Sequence, residues 1–287
     1  MNVGLVVHAG RDASVEAAGE AARLLAGLGA NVYVASNDDL TDGTGLSAVA
    51  SVGAPSDFAE EIDIAVSFGG DGTFLRAAHI CRDAQVPVLG VNLGRLGFLA
   101  EVEVDDVGAA LRALVDGEFT VETRATLQMS IEDPTGGHVA TGWALNEVSI
   151  EKSARHRLLL MDIHVDGTLF AKLPADALIL ATSTGSTAYA LSAGGPIVSP
   201  RVEATLVVPV APHALFDRTV LASPDEEVRV QLAADQEPAL VSCDGRDPVT
   251  VEVGSSVTVV GGGRPVKIAR IGKLDFASVV RRKFGLR

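Results

Sequence analysis

IDIAVSFGGDGTFLRAAHI (residues 62–80) holds the fold and the chemistry in one line. An apolar run of β-prone residues, Ile62–Phe68, ends in two glycines, an aspartate and a third glycine. A helical run follows. A strand, a glycine turn and a helix start converge backbone N–H groups and the positive end of the helix dipole, the usual bed for phosphate. Yet Asp71, itself an anion, stands in the middle. A bare Asp-Gly pair is an ordinary turn, the reading given to Asp42-Gly43 and Asp166-Gly167. After a buried strand, Asp71 has a chemical reading instead. A carboxylate there can accept the proton of an attacking hydroxyl, or approach a cation that neutralises phosphates. No G-x-G-x-x-G fingerprint and no Walker A loop occurs in the chain.

Upstream, Val3–Val7 and Val32–Ala35 read as strands around a helix over Val15–Leu28, with Ser14 as N-cap and Gly29 past its end. Thr41–Gly53 reads as a loop. Downstream, Val86–Val91 is a strand and Asp105–Val115 a helix closing at Gly117. Strands separated by helices predict an α/β domain with a mostly parallel sheet over residues 1–120. From about Thr120 the period falls to two, as in Leu127, Met129 and Ile131. Leu158–Val165 and Thr168–Leu173 form a hairpin about Asp166-Gly167, and further strands run to Val260. Only Gly185–Ala193 has helical character. Residues 121–264 are therefore expected to be an all-β, sandwich-like domain. The tail puts Phe276, Val279, Val280 and Phe284 on one helical face. A β sandwich has no use for that face, so residues 265–287 are expected to return to the first domain.

The bulk numbers set bounds. The 287 residues are 47% hydrophobic and 21% charged, so sizeable cores can form and disorder is excluded as a class. No apolar run reaches the roughly 18–20 residues that span a bilayer. The start, MNVGLVVHAGRD, lacks the basic opening of a signal peptide. A cytoplasmic protein without a membrane partner is expected. Cys81 and Cys243 give neither a disulfide framework nor metal-ligand spacing. The net charge of −14 argues against nucleic acid as a partner. An anionic ligand must then be held by backbone donors, a few arginines or a divalent cation.

Three more stretches carry candidate chemistry. GVNLGRLGFL (residues 90–99) follows a strand and sets Asn92 and Arg95 among three glycines. It is either a plain βα loop or one that a ligand approaches. In WALNEVSI (143–150), Asn146 and Glu147 interrupt an apolar strand; Asn both donates and accepts, which suits a ribose diol or an adenine edge. A solvent-facing strand end is the plainer reading. Ser149–Lys152 also matches S-x-x-K, but its strand period sets aside an acylating serine, which needs a helix start. DALILATSTGSTAYALSAGGP (176–196) ends a strand at Thr182 and opens a short helix with a cluster of Ser, Thr and Gly. So many hydroxyls exceed what one cap needs and suit a base, a ribose or a phosphate.

In this order, GGDGT, G-x-N-x-G-x-x-G-F-L, N-E-V-S-I and T-x-T-G-S-T-A-Y-x-L-S-A-G-G-P resemble the NAD kinase family. The resemblance implies an N-terminal α/β domain, a C-terminal β domain, NAD bound between them, and assembly as homodimers or homotetramers. It implies phosphoryl transfer from ATP, and in some members inorganic polyphosphate, to the adenosine ribose 2′-hydroxyl of NAD. It further implies a divalent cation, magnesium or manganese, which Asp71 could approach. Asp71 resembles the catalytic aspartate. Gly72, Phe74, Asn146, Glu147, Asp176, Thr184, Thr187, Ala188, Tyr189 and Ser192 resemble the residues that hold NAD. Two departures stand out: Ser183 replaces the usual Pro, which makes that turn less rigid, and FDRT (216–219) replaces a more usual L-S-x-R-P. GGDGT alone also occurs in lipid and sugar kinases. Another kinase of that type, or a non-catalytic NAD(P)-binding sensor, are the rival readings.

Overall fold

The structure is a computed structural model and describes residues 1–8, 10–35, 51–53, 55–94, 97–234, 237–272 and 276–286. The chain divides into two compact units, Met1–Thr123 with Val266–Arg287, and Arg124–Pro265. No helix among the described residues is long and apolar enough to cross a membrane.

The first unit begins with β1 (Asn2–Val7), α1 (Asp12–Gly27), β2 (Asn31–Ala35), β3 (Ser51–Gly53) and α2 (Pro55–Glu61). It continues with β4 (Ile64–Gly69), α3 (Asp71–Cys81), β5 (Val88–Asn92), β6 (Val102–Glu103), α4 (Val107–Val115) and β7 (Thr120–Arg124). The second unit holds β8 (Leu127–Glu132), β9 (His138–Ala144), β10 (Glu147–Lys152), β11 (Leu159–Val165), β12 (Thr168–Ala175) and β13 (Ala177–Thr182). After the four-residue α5 (Tyr189–Ser192) come β14 (Thr205–Val210), β15 (Val220–Ala222), β16 (Val228–Leu232), β17 (Ala239–Cys243), β18 (Val249–Val251) and β19 (Ser256–Gly261). Finally β20 (Val266–Arg270) and α6 (Phe276–Phe284) belong to the first unit.

The first unit's sheet has the order β3-β2-β1-β4-β5-β20-β7, with β6 also on β5. The pairings from β3 through to β5, and those of β5 with β6 and β20, are parallel. A parallel sheet covered on both faces needs near-continuous apolar strands. β4 supplies this, since all six of its residues are buried. Val3, Leu5, Val7, Ile64, Val66 and Phe68 pack with Ala18, Leu25, Leu111 and Leu114 from α1 and α4.

The second unit is a pair of six-stranded antiparallel sheets, β15-β14-β13-β10-β17-β18 and β12-β11-β16-β19-β8-β9. Alternate residues of the two sheets, among them Leu127, Met129 and Ile131 facing Val148, Ile150 and Leu178, form one core. Asp166 and Gly167, both at positive φ, reverse the β11–β12 hairpin as the sequence suggests.

Several expectations change. Ser51–Gly53 is a strand parallel to β2, not the end of a loop; residues 41–50 of that expected loop lie outside the described residues. The first helix starts at Asp12, with Arg11 as an extended N-cap whose side chain makes no capping hydrogen bond. Ser14 is therefore inside the first turn; it is buried, and its hydroxyl has no hydrogen-bond partner among the described residues. The helix over residues 105–115 opens with a 3-10 turn, Val104–Asp106, and stops before Gly117 at φ +76°. Gly185–Ala193 is a 3-10 turn, Gly185–Thr187, followed by α5 rather than one helix. The tail contributes a strand as well as a helix: β20 pairs with β5 inside the sheet, and Arg270 bonds Glu101 at 2.5 Å and Glu122 at 3.0 Å.

Candidate active site

In the first unit, β4 ends at Gly69 and α3 begins at Asp71, with Gly70 extended between them. The Asp71 carboxylate turns to the loop that follows β5. Its Oδ2 accepts the Phe98 N–H at 3.0 Å, and its Oδ1 accepts those of Leu99 at 3.1 Å and Ala100 at 3.3 Å. Gly97 makes the approach possible: a Cβ there would lie 2.1 Å from Asp71 Oδ1. The second glycine-rich stretch is thus the partner of the first. Within it Asn92 makes a local turn with Gly94, while Arg95 lies outside the described residues. Gly72 is exposed, and Phe74 is fully buried beneath Gly90.

The same end of the sheet gains a cation that the sequence reading passed over. Arg76, one turn into α3, donates to the Val7 carbonyl at 2.7 Å, and burial lowers its pKa. Its signal was an arginine inside an apolar helical run.

In the second unit, residues 145–147 form the corner between β9 and β10. Asn146 and Glu147 are both buried. The Asn146 carbonyl accepts the Thr182 N–H at 2.8 Å, and the Leu145 carbonyl accepts the Thr182 hydroxyl at 2.6 Å. Gly185 presses on the same corner: a Cβ there would sit 2.0 Å from the Asn146 carbonyl oxygen. The Ser/Thr cluster is therefore wedged against Asn146-Glu147. Thr184 is buried, and its hydroxyl accepts from Arg124 at 3.3 Å. The Thr187 hydroxyl donates to the Thr184 carbonyl at 3.2 Å. Ser183, where the resemblance leads one to expect a proline, ties its hydroxyl to the Val202 carbonyl, a link proline could not make. Ala188 is half-buried, and Tyr189 and Ser192 are exposed on the short helix.

Carboxylates gather about Tyr189. Burial raises its phenol pKa, and Glu151, Glu147 and Asp176 raise it further. Glu147 is itself pushed up to about 7, by burial first and by the Asp244 carboxylate second, against a backbone N–H of Tyr189 that pulls it down. Asp176 pairs with Lys152, and Glu151 accepts the Ser149 hydroxyl at 2.8 Å. Glu151, Lys152, Arg124 and Asp244 were not among the residues singled out from sequence. A partly exposed face carrying hydroxyls and negative charge suits a ligand with hydroxyl donors and a cationic ring. Among the described residues, no group of three or more His, Cys, Asp or Glu side chains could cage a metal ion.

A parallel α/β unit with a carboxylate at its glycine turn, joined to an antiparallel β unit with a hydroxyl-rich corner, defines a two-domain kinase of the GGDGT class. Comparison with known proteins narrows this. Residues 3–119 match the family described as ATP-NAD kinase N-terminal domain, and residues 145–271 match ATP-NAD kinase C-terminal domain. The chain belongs to the NAD kinase family. It is 41% identical to the NAD kinase of Rhodococcus erythropolis, across 98% of this chain and 93% of that protein. It is 40% identical to the NAD kinase of Mycobacterium tuberculosis, across 98% and 95%. Its fold is similar to yeast NADH kinase complexed with NADH, with TM-score 0.90 and 25% identity over 100% of this chain and 88% of that one. An NAD kinase from Archaeoglobus fulgidus in complex with ATP gives TM-score 0.73, also at 25% identity, over 100% and 98%.

Proposed function

We propose that this chain transfers the terminal phosphoryl group of ATP to the adenosine ribose 2′-hydroxyl of NAD, giving NADP and ADP. The hydroxyl oxygen bonds to the γ-phosphorus, the bond from that phosphorus to the β–γ bridging oxygen breaks, and the hydroxyl proton passes to Asp71. The observation that carries this reading is the pattern of acceptance at Asp71. A carboxylate has about four lone-pair sites. Two on Oδ1 are used by Leu99 and Ala100, and one on Oδ2 by Phe98. One Oδ2 site is left to take the hydroxyl's hydrogen. The three N–H donors hold the carboxylate in place, so little reorganisation is needed when the proton moves. This also answers how an anion sits in a phosphate bed: backbone donors already face it.

Phosphoryl transfer asks a protein mainly for positioning and charge neutralisation. Asn146, Glu147, Asp176, Thr184, Thr187, Ala188, Tyr189 and Ser192, with Gly72 beside Asp71, are assigned to hold NAD; Phe74, fully buried beneath Gly90, supports the Asp71 turn from within rather than meeting the ligand. The carboxylates around Tyr189 support this assignment, since the nicotinamide ring of NAD is cationic. A magnesium or manganese ion would come with the donor phosphates as part of that substrate and neutralise their charge, with Asp71 the carboxylate it could approach when the open Oδ2 site is not holding the hydroxyl. Inorganic polyphosphate is a second donor worth testing. We also assign the protein to the cytoplasm, as a homodimer or homotetramer. The exposed Phe170–Phe216 ring pair, with Leu169 and Leu215 exposed nearby in sequence, supports self-association.

The test is direct. Purified protein, NAD and magnesium, with ATP or polyphosphate, should yield NADP read out by an NADP-specific dehydrogenase, and the product should carry its new phosphate on the 2′ oxygen by phosphorus NMR. NAD binding without NADP formation would instead support the sensor. Phosphorylation of a diacylglycerol or a sugar phosphate in place of NAD would support the other kinases.

A further inference from the structure

Three successive backbone N–H groups converge on one side chain at the Asn146-Glu147 corner. Leu145 donates to Asp244 Oδ2 at 2.8 Å, and Asn146 and Glu147 donate to Asp244 Oδ1 at 2.7 and 3.1 Å. The Asp244 N–H returns a bond to the Glu147 carbonyl at 2.9 Å. In the β10–β17 ladder Val148 pairs with Cys243, so Asp244 stands one rung further, opposite Glu147. Strand pairing ends there, and the carboxylate takes over the donors that the ladder would leave open.

The surrounding turn is built to hold that carboxylate still. Asp244 has φ +53° and Gly245 φ +66°, a tight left-handed reversal that Asp tolerates better than most residues. Arg246 then staples the turn to the strand before the corner. Its Nη2 donates to the Trp143 carbonyl at 2.8 Å, its Nε donates to the Cys243 carbonyl at 3.2 Å, and its guanidinium lies 5.7 Å from the Trp143 ring centre. The corner is gripped on one side by Thr182 and Gly185 and on the other by Asp244.

We propose that Asp244 is a positioning residue for NAD, its carboxylate fixing the backbone from which the Asn146 and Glu147 side chains project. This rests on the reading above that Asn146 and Glu147 hold NAD. It adds a residue from a different strand, reached through a turn that its sequence alone makes ordinary. Charge is part of the choice. A carboxylate accepts all three N–H groups, whereas an amide of the same shape would turn a donor toward one of them.

The test is a double-mutant cycle read by calorimetry with NAD and by steady-state kinetics. Asp244→Asn keeps the size and the left-handed backbone, and Asp244→Ser, a second variant, keeps one acceptor. Each should weaken NAD binding by about tenfold while KM for ATP stays within about twofold. In an Asn146→Ala background the same change should weaken NAD binding by less than about threefold, because one of the two side chains being positioned is gone and only the Glu147 share of the effect is left. A general loss of packing would not give that pattern. Fold changes that multiply across the two sites, an equal effect on ATP, or unchanged NAD affinity in both Asp244 variants would overturn the proposal. Wild-type protein that forms no NADP would instead overturn the functional reading beneath it.

Discussion

Asp71 Oδ2 accepts the Phe98 backbone N–H at 3.0 Å, and this bond joins the two glycine-rich stretches of the first unit. It also extends the active-site candidate to the end of the chain. The Phe98 ring lies 6.4 Å from that of Phe284, and Lys283 Nζ lies 5.2 Å from its centre. Arg282 pairs with Glu103 at 3.3 Å further along the same segment. The carboxylate, its loop and the C-terminal helix are one connected arrangement.

Replacing Asp71 by Asn separates its roles. The amide keeps the shape but loses basicity, and its NH₂ cannot accept an N–H. Turnover should fall by about 10²–10⁴ if the carboxylate takes the hydroxyl proton. NAD affinity by calorimetry should change little. A loss seen mainly as weaker ATP–magnesium binding, and restored by excess metal, would assign Asp71 to the cation instead. Near wild-type turnover would reduce it to a loop anchor.

Gly97→Ala leaves Asp71 in place but puts a methyl group where its Oδ1 now lies, 2.1 Å away. The carboxylate or the loop has to shift. Misplacement of about 1 Å at a reacting group costs on the order of 10²-fold in rate. The variant should therefore lose turnover with NAD affinity kept, reproducing the Asp71→Asn pattern. Wild-type turnover would show that the Asp71–loop bonds are not needed for chemistry.

The C-terminal helix gives a stability prediction. Val279 is buried, and the half-exposed Phe284 ring packs at a tilt against Phe98 of the loop that holds Asp71. Deleting residues 274–287 removes both. Burial of one valine and one aromatic pair is worth about 2–4 kcal/mol, so Tm should drop by roughly 5–15 °C. Phe284→Ala alone should lower turnover with a smaller change in Tm. An unchanged melting curve for the truncated chain would remove the helix from this account.

These relationships mark how far the sequence could be read. The turn at Asp71 was legible because strand, glycines and helix start are adjacent in the chain. Its acceptance of the Phe98 N–H spans 27 residues, and no local pattern carries that. Asp244 was harder still. Its partner Asn146 lies 98 residues away, and Asp-Gly before a polar run reads as one more turn. The two sheet types were legible from periods of two against buried apolar runs. β20 was not, because Val266–Arg270 is a five-residue strand whose place depends on pairing with β5. Ser14 shows the reverse error. A serine before an apolar run is a good N-cap by propensity, but the helix starts at Asp12, three residues before the expected Val15, and turns the hydroxyl into the interior.

Asn146→Ala tests the second unit. Asn146 is buried at a corner fixed from both sides, so its truncation should leave the fold intact. A hydrogen bond lost in a desolvated site costs about 1–3 kcal/mol. NAD binding should weaken by roughly tenfold to a hundredfold. Unchanged affinity by calorimetry would take Asn146 out of the site.

Glu147 ties the site to pH. Burial, and then the Asp244 carboxylate, raise its pKa from the ordinary 4.5 to about 7. At pH values below the lower figure the carboxyl is protonated in both folded and unfolded chains and contributes nothing. Between the two, the folded chain keeps the proton while the unfolded chain has lost it. The folded state then binds more protons, so this residue makes stability fall as pH rises through that window. Above about 7 both forms are ionised and the penalty, on the order of 3 kcal/mol, is complete. Glu147→Gln carries no such titration. In urea unfolding from about pH 5 to about pH 8, the variant should gain stability relative to wild type as pH rises, with the gain levelling off near neutrality. Asp244→Asn removes the second cause and should move the wild-type midpoint of that gain to lower pH. A stability difference between Glu147→Gln and wild type that stays flat across the range would show that Glu147 ionises in the folded chain as it does in water.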